Sequence, residues 1–124
     1  MKFVITDHAM LKYATRFGVG NIKELRNALQ NKSVKSNRDL IESFKATILQ
    51  EALTAHPDKS IINNMERMLY LYETYGFDKQ FKTFKTLDKQ FVCIYEGNVH
   101  VVVTCYEASS LDKLSRGKYR KHRF

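Results

Sequence analysis

Proline occurs once in these 124 residues, cysteine twice and glycine five times, and acidic residues number 13 against 21 lysines and arginines. Each scarcity removes a class of function. Five scattered glycines form no glycine-rich phosphate loop of nucleotide-binding spacing. Cys93 and Cys105 have neither zinc-site nor redox-pair spacing, so no metal is expected there and the chain reads as reduced. The thin acidic residues never cluster as the carboxylates of a two-metal nuclease must, and no cofactor is implied. The apolar run after Lys2 ends at Asp7, too soon for a secretory signal, and no stretch is long enough to span a bilayer. A soluble, cytoplasmic protein with no membrane partner is the expectation.

What is plentiful is positive charge. The net charge is +8, an excess that favours polyanionic partners, chiefly nucleic acid or the ribosome. From Lys113 to Phe124 the chain carries six cations and no acid. Arg116, Lys118, Tyr119, Arg120, Lys121 and Arg123 interleave charge with rings, which suits nucleic-acid contact as readily as a solubilising tail. The length and the 44% hydrophobic content fit a single domain spanning 1–124 with its own core.

Ile5 to Gly18 is the most sharply bounded stretch. Thr6 or Asp7 can cap a helix, Gly18 can end it in the left-handed conformation, and Met10, Tyr13, Ala14 and Phe17 form an apolar stripe. His8, Lys12 and Arg16 recur every four residues and stand in a row beside that stripe. The helix dipole and two cations should hold His8 neutral, able to act as a base beside a phosphate. The same row is also what the wet face of any amphipathic helix looks like.

Phe3 to Ile5 suits a strand leading into that helix. Asn21 with Glu24 has capping-box form for a second helix, and Ser36 with Asp39 for a third. Pro57 suits the first turn of a fourth helix, which Ile61, Ile62, Met65, Met68, Leu69, Tyr72 and Tyr75 would line until Gly76. A strand around Phe81 to Thr86 is the weakest expectation, because Phe81 and Phe84 would fall on opposite faces. Gln90 to Glu96, the turn Gly97-Asn98 and Val99 to Glu107 make a hairpin. That turn fixes the register and so pairs Tyr95 with His100, Cys93 with Val102 and Phe91 with Thr104. Val92, Ile94, Val99, Val101 and Val103 then share an aliphatic face for the helices to cover. Thr104, Tyr106 and His100 share the other face. Cys93 and Cys105 would lie on opposite faces, and Cys93 reads as buried rather than nucleophilic.

Ile5-Thr6-Asp7-His8-Ala9, with Lys12, Arg16 and Gly18-Val19, resembles the opening of small RelE-like ribonuclease toxins. The His, basic, basic spacing is also similar to that of RegB-type endoribonucleases. The ending Val101-Val102-Val103-Thr104-Cys105-Tyr106 resembles the closing strand of the group. The likeness covers about residues 3–30 and 88–108. It implies an α+β fold of RelE-like type, with helices on one face of a small antiparallel sheet, and metal-independent cleavage of RNA, including ribosome-bound mRNA. An antitoxin or a host protein is the further partner it suggests. Position by position, His8, Lys12, Arg16, Thr104 and Tyr106 match its motifs. Lys12 stands where the group usually has arginine, and the helical stretch 37–76 is additional. His100 joins as a candidate acid from the strand register alone, against the alternative of a histidine packed beside Tyr95. A non-enzymatic module binding nucleic acid, ribosome or protein is the competing expectation.

Overall fold

The opening strand, β1 (Lys2–Ile5), buries Phe3 and Ile5 and turns Val4 outward, the alternation of a sheet edge. A computed structural model describes residues 2–59 and 63–108 of the chain. Thr6 leaves the strand in extended conformation and accepts the Ala9 N–H, which starts α1 (Asp7–Phe17). Gly18, at φ +62°, ends it. Ala9, Met10, Tyr13 and Ala14 are buried, so the anticipated stripe is the packed one. Asn21 caps α2 (Ile22–Gln30) by accepting from the Lys23 and Glu24 N–H groups.

Two helix starts differ from expectation. Ser36 does not cap the third helix; α3 (Lys35–Leu53) begins two residues earlier than that cap would set, after Val34, with no side-chain cap. Pro57 does not open a helix. It lies in a three-residue edge strand, β2 (His56–Asp58), opposite Phe84. Proline has no N–H to give to a ladder, and an outermost strand is where a sheet tolerates that loss. The fourth helix, α4 (Met65–Tyr75), starts instead from Asn64, whose side chain accepts the Arg67 N–H. Ile61 and Ile62 lie outside the described residues.

Three further strands complete an α+β fold: β3 (Phe81–Lys85), β4 (Lys89–Glu96) and β5 (Val99–Glu107). The sheet order is β1-β5-β4-β3-β2, antiparallel except where β1 runs parallel to β5. Gly97 and Asn98 both have positive φ, the geometry of a tight hairpin turn, and Tyr95 faces His100 as the turn chemistry requires. Phe81 and Phe84 do lie on opposite faces, and both are buried because both faces are covered.

That double cover corrects the one-sided arrangement. The aliphatic face, with Val92, Ile94 and Val103, packs on Leu71 of α4, with Met68, Tyr72 and Tyr75 at the margin. The first three helices cover the other face, where Phe3, Ile5, Phe84, Phe91, Cys93 and Val102 meet Met10, Tyr13, Leu25, Ile41 and Ile48. Rings and valines there are as apolar as the aliphatic side, so neither face can be left to water. The stretch 37–76 is therefore part of the fold: α3 packs on β1, α1 and α2.

The hairpin register holds only as far as Cys93 opposite Val102. A bulge follows, so Val92 pairs with Thr104 and Phe91 with Cys105, not with Thr104. One extra residue, Val103, reverses the facing of everything after it. Thr104 and Tyr106 move to the α4 side, and Cys105 joins Cys93 on the α1 side, where both remain free thiols. Burial pushes each thiol up to about 12.

Ion pairs tie the layers together. Asp7 binds Lys32 at 2.7 Å and Lys45 at 2.5 Å, which holds its carboxyl below the usual range and ties α1 to α3. The Tyr13 hydroxyl donates to Glu51 at 2.5 Å, and the other Glu51 oxygen meets Lys89 at 2.7 Å. The Lys89 ammonium also sits 4.9 Å from the Phe17 ring centre, linking α1, α3 and β4. Among the described residues no helix is long and apolar enough to cross a membrane.

Candidate nucleic-acid interface

β1 is four residues long and β5 is nine, so β1 pairs only with Val99 to Val102. Thr6 closes that pairing: its N–H and its hydroxyl both donate to the Val102 carbonyl, at 3.2 and 2.8 Å. Beyond this point, among the described residues, β5 has an edge with no strand beside it. The bulge falls there, as bulges at sheet margins often do.

Arg16, in the last turn of α1, reaches over this edge. One guanidinium nitrogen donates to the Cys105 carbonyl at 2.5 Å and to Thr104 Oγ1 at 3.2 Å. Its guanidinium carbon lies 4.4 Å from the centre of the Tyr106 ring. Arg67 approaches the same ring from α4, at 5.2 Å. Arg16 thus satisfies a carbonyl that β1 is too short to reach, and it joins the two faces. The α1 row and the closing strand meet at this edge because the bulge presents Thr104 and Tyr106 there.

His8 stands at the exposed start of the row. Burial lowers its pKa first, and the charges of Lys12 and then Arg16 lower it further. The imidazole is accordingly neutral near pH 7, and the two cations that couple to it are those of its own row. Tyr75 of α4 completes the cluster, its hydroxyl 3.5 Å from the Val103 carbonyl. Its pKa is raised by burial first and by Tyr106 and Tyr70 next, against the pull of Arg16.

His100 does not belong to this group. It lies four positions before Thr104 on the same strand and on the opposite face, 5% exposed, with its ring 4.7 Å from Tyr95, 4.9 Å from Phe84 and 5.2 Å from Phe3. Burial and the Lys82 charge lower its pKa. The role of acid beside Thr104 and Tyr106 is closed to it by the bulge and by some 13 Å of strand. No protein-family model, characterised protein or solved structure matches this chain.

Arg67 and Tyr75 are members of the cluster that periodicity could have supplied. Arg67 is the only cation between Met65 and Tyr75, and it shares an i, i+4 line with the buried Leu71 and with Tyr75. A lone arginine on the packed side of a helix needs a partner, and here that partner is the Tyr106 ring. The basic residues Arg116, Lys118, Tyr119, Arg120, Lys121 and Arg123 lie outside the described residues. Among the described residues no group of three or more His, Cys, Asp or Glu side chains is gathered as a metal site.

Proposed function

We propose that this protein binds RNA along the α1 row and the open edge of β5, and cleaves it there as a metal-independent endoribonuclease of RelE-like type. The observation that carries the reading is the convergence of Arg16 and Arg67 on Tyr106, with Lys12 and a neutral His8 continuing the Arg16 row. Two cations flanking a ring suit a phosphate beside a stacked base. In the proposed reaction His8 takes the proton of the ribose 2′-hydroxyl. The 2′-oxygen attacks phosphorus, the bond to the 5′-oxygen breaks, and Lys12 and Arg16 face the charge that develops. The Tyr106 phenol supplies the proton for the leaving 5′-oxygen. Ribosome-bound mRNA is the substrate form that the family resemblance suggests, and an antitoxin-like or host protein the regulator.

A second reading is favoured by one specific contact. Arg16 is already held by the Cys105 carbonyl and Thr104, so the edge can serve as a fixed basic platform that binds RNA without cutting it.

End-labelled RNA incubated with the protein, with and without EDTA and ribosomes, separates the two. The catalytic reading expects cleavage that survives EDTA and leaves 2′,3′-cyclic phosphate and 5′-hydroxyl ends. His8→Ala then slows the reaction by about a hundredfold or more, the scale of a lost general base. A His8→Ala protein that cuts at the wild-type rate removes His8 from the mechanism. Binding with no cleavage in any condition establishes the platform.

A further inference from the structure

At the other end of β5, β2 stops short of the start of β3 and leaves a concavity. Its volume is about 450 Å³, within the range of small-molecule sites. Its apolar surface comes from Pro57, Phe81, Phe84 and Tyr95, with His100 beside them. The rings are ordered by their mutual contacts: His100 stands perpendicular to Phe84 at 4.9 Å and tilted against Tyr95 at 4.7 Å. Charge enters through two lysines. Lys82 holds its ammonium 4.2 Å from the Tyr95 ring centre, and Lys59 is exposed on the same wall. The carboxylate of Asp58, also in the lining, accepts a hydrogen bond from Gln90.

His100 adds a second, independent observation. Its imidazole Nδ1 is buried and meets no hydrogen-bond partner in the protein. A buried ring nitrogen left in this way costs free energy unless something supplies a partner. It lies in a residue that forms the pocket wall, next to flat rings and within reach of the Lys82 charge.

We propose that this concavity binds a nucleoside monophosphate, either free or as one unit of an RNA chain. The base packs against Tyr95 and the His100 wall, a ring or exocyclic N–H serves the imidazole after a small side-chain shift, and the phosphate meets Lys59 and Lys82. A flat ring carrying one anionic group is what this combination of aromatic wall and paired lysines recognises. The site shares no residue with the Arg16 edge, so it stands whether or not that edge cleaves RNA.

The test is a heteronuclear NMR titration of the whole protein with AMP, GMP, CMP and UMP, the four nucleosides, inorganic phosphate and a short RNA oligonucleotide. Saturable shifts at Lys82, Tyr95 and His100 are expected, with a monophosphate binding at least about tenfold tighter than its nucleoside. Lys59→Ala/Lys82→Ala should lose that phosphate-dependent factor while leaving the nucleoside affinity alone. Lys59 is exposed and Lys82 half-buried, and an unchanged circular dichroism spectrum verifies that the variant is folded. Shifts with free monophosphates identify the free nucleotide as the source; shifts at the same residues with the oligonucleotide alone identify the polymer. The proposal is overturned if no nucleotide moves these residues saturably, or if inorganic phosphate alone binds as tightly as the monophosphates. His8→Ala should bind the monophosphates normally, which keeps this result separate from the cleavage assay.

Discussion

Replacing Arg16 by alanine tests how far the α1 row is also a structural device. A solvated row would let all three of its members be truncated without cost, but Arg16 is held at the β5 edge and the other two are not. Truncation leaves the Cys105 carbonyl without the donor now 2.5 Å away and removes a guanidinium lying 4.4 Å from the Tyr106 ring. An acceptor stripped of its partner costs about 1–3 kcal/mol when buried, and less where water can enter. An arginine on an exposed ring adds about 0.5–1 kcal/mol. The edge is partly open, so the lower part of the first range applies and the sum is about 2 kcal/mol. For a domain of this length that corresponds to a fall of about 8 °C in the unfolding midpoint. Lys12→Ala should stay within about 0.5 kcal/mol of the parent. Arg16→Lys should recover only part of the loss, because an ammonium cannot span the carbonyl, the Thr104 hydroxyl and the ring together. Thermal unfolding followed by circular dichroism measures all three. If Arg16→Ala melts with the parent, the edge carbonyl is served by water and the account of Arg16 as a clasp is wrong. The outcome also governs the cleavage assays, since Arg16→Ala must be assayed well below its own midpoint before any rate loss is attributed to chemistry.

Stability should decline in alkali. Tyr13, Cys93 and Cys105 are each pushed up to about 12, chiefly by burial. The folded chain therefore keeps protons that the unfolded chain releases from about pH 9 for the thiols and about pH 10 for the phenol. Their contribution is complete below pH 9 and is lost as pH rises towards 12, at about 4 kcal/mol per pH unit once all three titrate. Urea midpoints that do not change between about pH 8 and about pH 11 contradict the burial of these groups. Glu51→Ala should cost about 2 kcal/mol, since it strands Lys89, whose side chain is 13% exposed, with only the outlying Asp88 at 3.1 Å. A double-mutant cycle with Lys89→Met that gives no coupling energy removes the pair from the account. RNA affinity should fall with a log–log salt slope near about −3.5 for single strands, and deleting 116–124 should flatten it. An unchanged slope leaves the α1 row and the β5 edge as the electrostatic site.

Local chemistry was legible in the sequence, and its long-range consequences were not. Thr6, Gly18 and Asn21 announce their roles because a cap or a left-handed residue involves only its immediate neighbours. Gly97-Asn98 set the hairpin for the same reason. The bulge at Val103 was hidden by composition: with valines at 99, 101, 102 and 103 and both faces buried, a slip of one residue exposes nothing apolar to water. That hidden slip decided the site. It parted His100 from Thr104 and Tyr106 and carried the latter pair to where Arg16 and Arg67 could meet them. Pro57 misled because proline favours helix starts and edge strands alike, and only the neighbouring β3 distinguishes them. Arg67 could be placed on the packed line of α4 by its spacing to Leu71 and Tyr75, but its partner Tyr106 appears only once α4 lies across the sheet.

The pairing of β1 with β5 has a consequence for synthesis. Phe3 aligns with His100 and Ile5 with Val102, so β1 must wait for its neighbour until β5 has been made. Until then Phe3, Ile5 and the inner side of α1 have no finished sheet to rest on, and contacts this distant in sequence close slowly. The nascent chain exposes β1 and the inner side of α1 until β5 emerges, and only then can Arg16 close over Cys105. A chain stalled before Val99 therefore lacks both the neighbour of its first strand and the edge at which its proposed chemistry takes place.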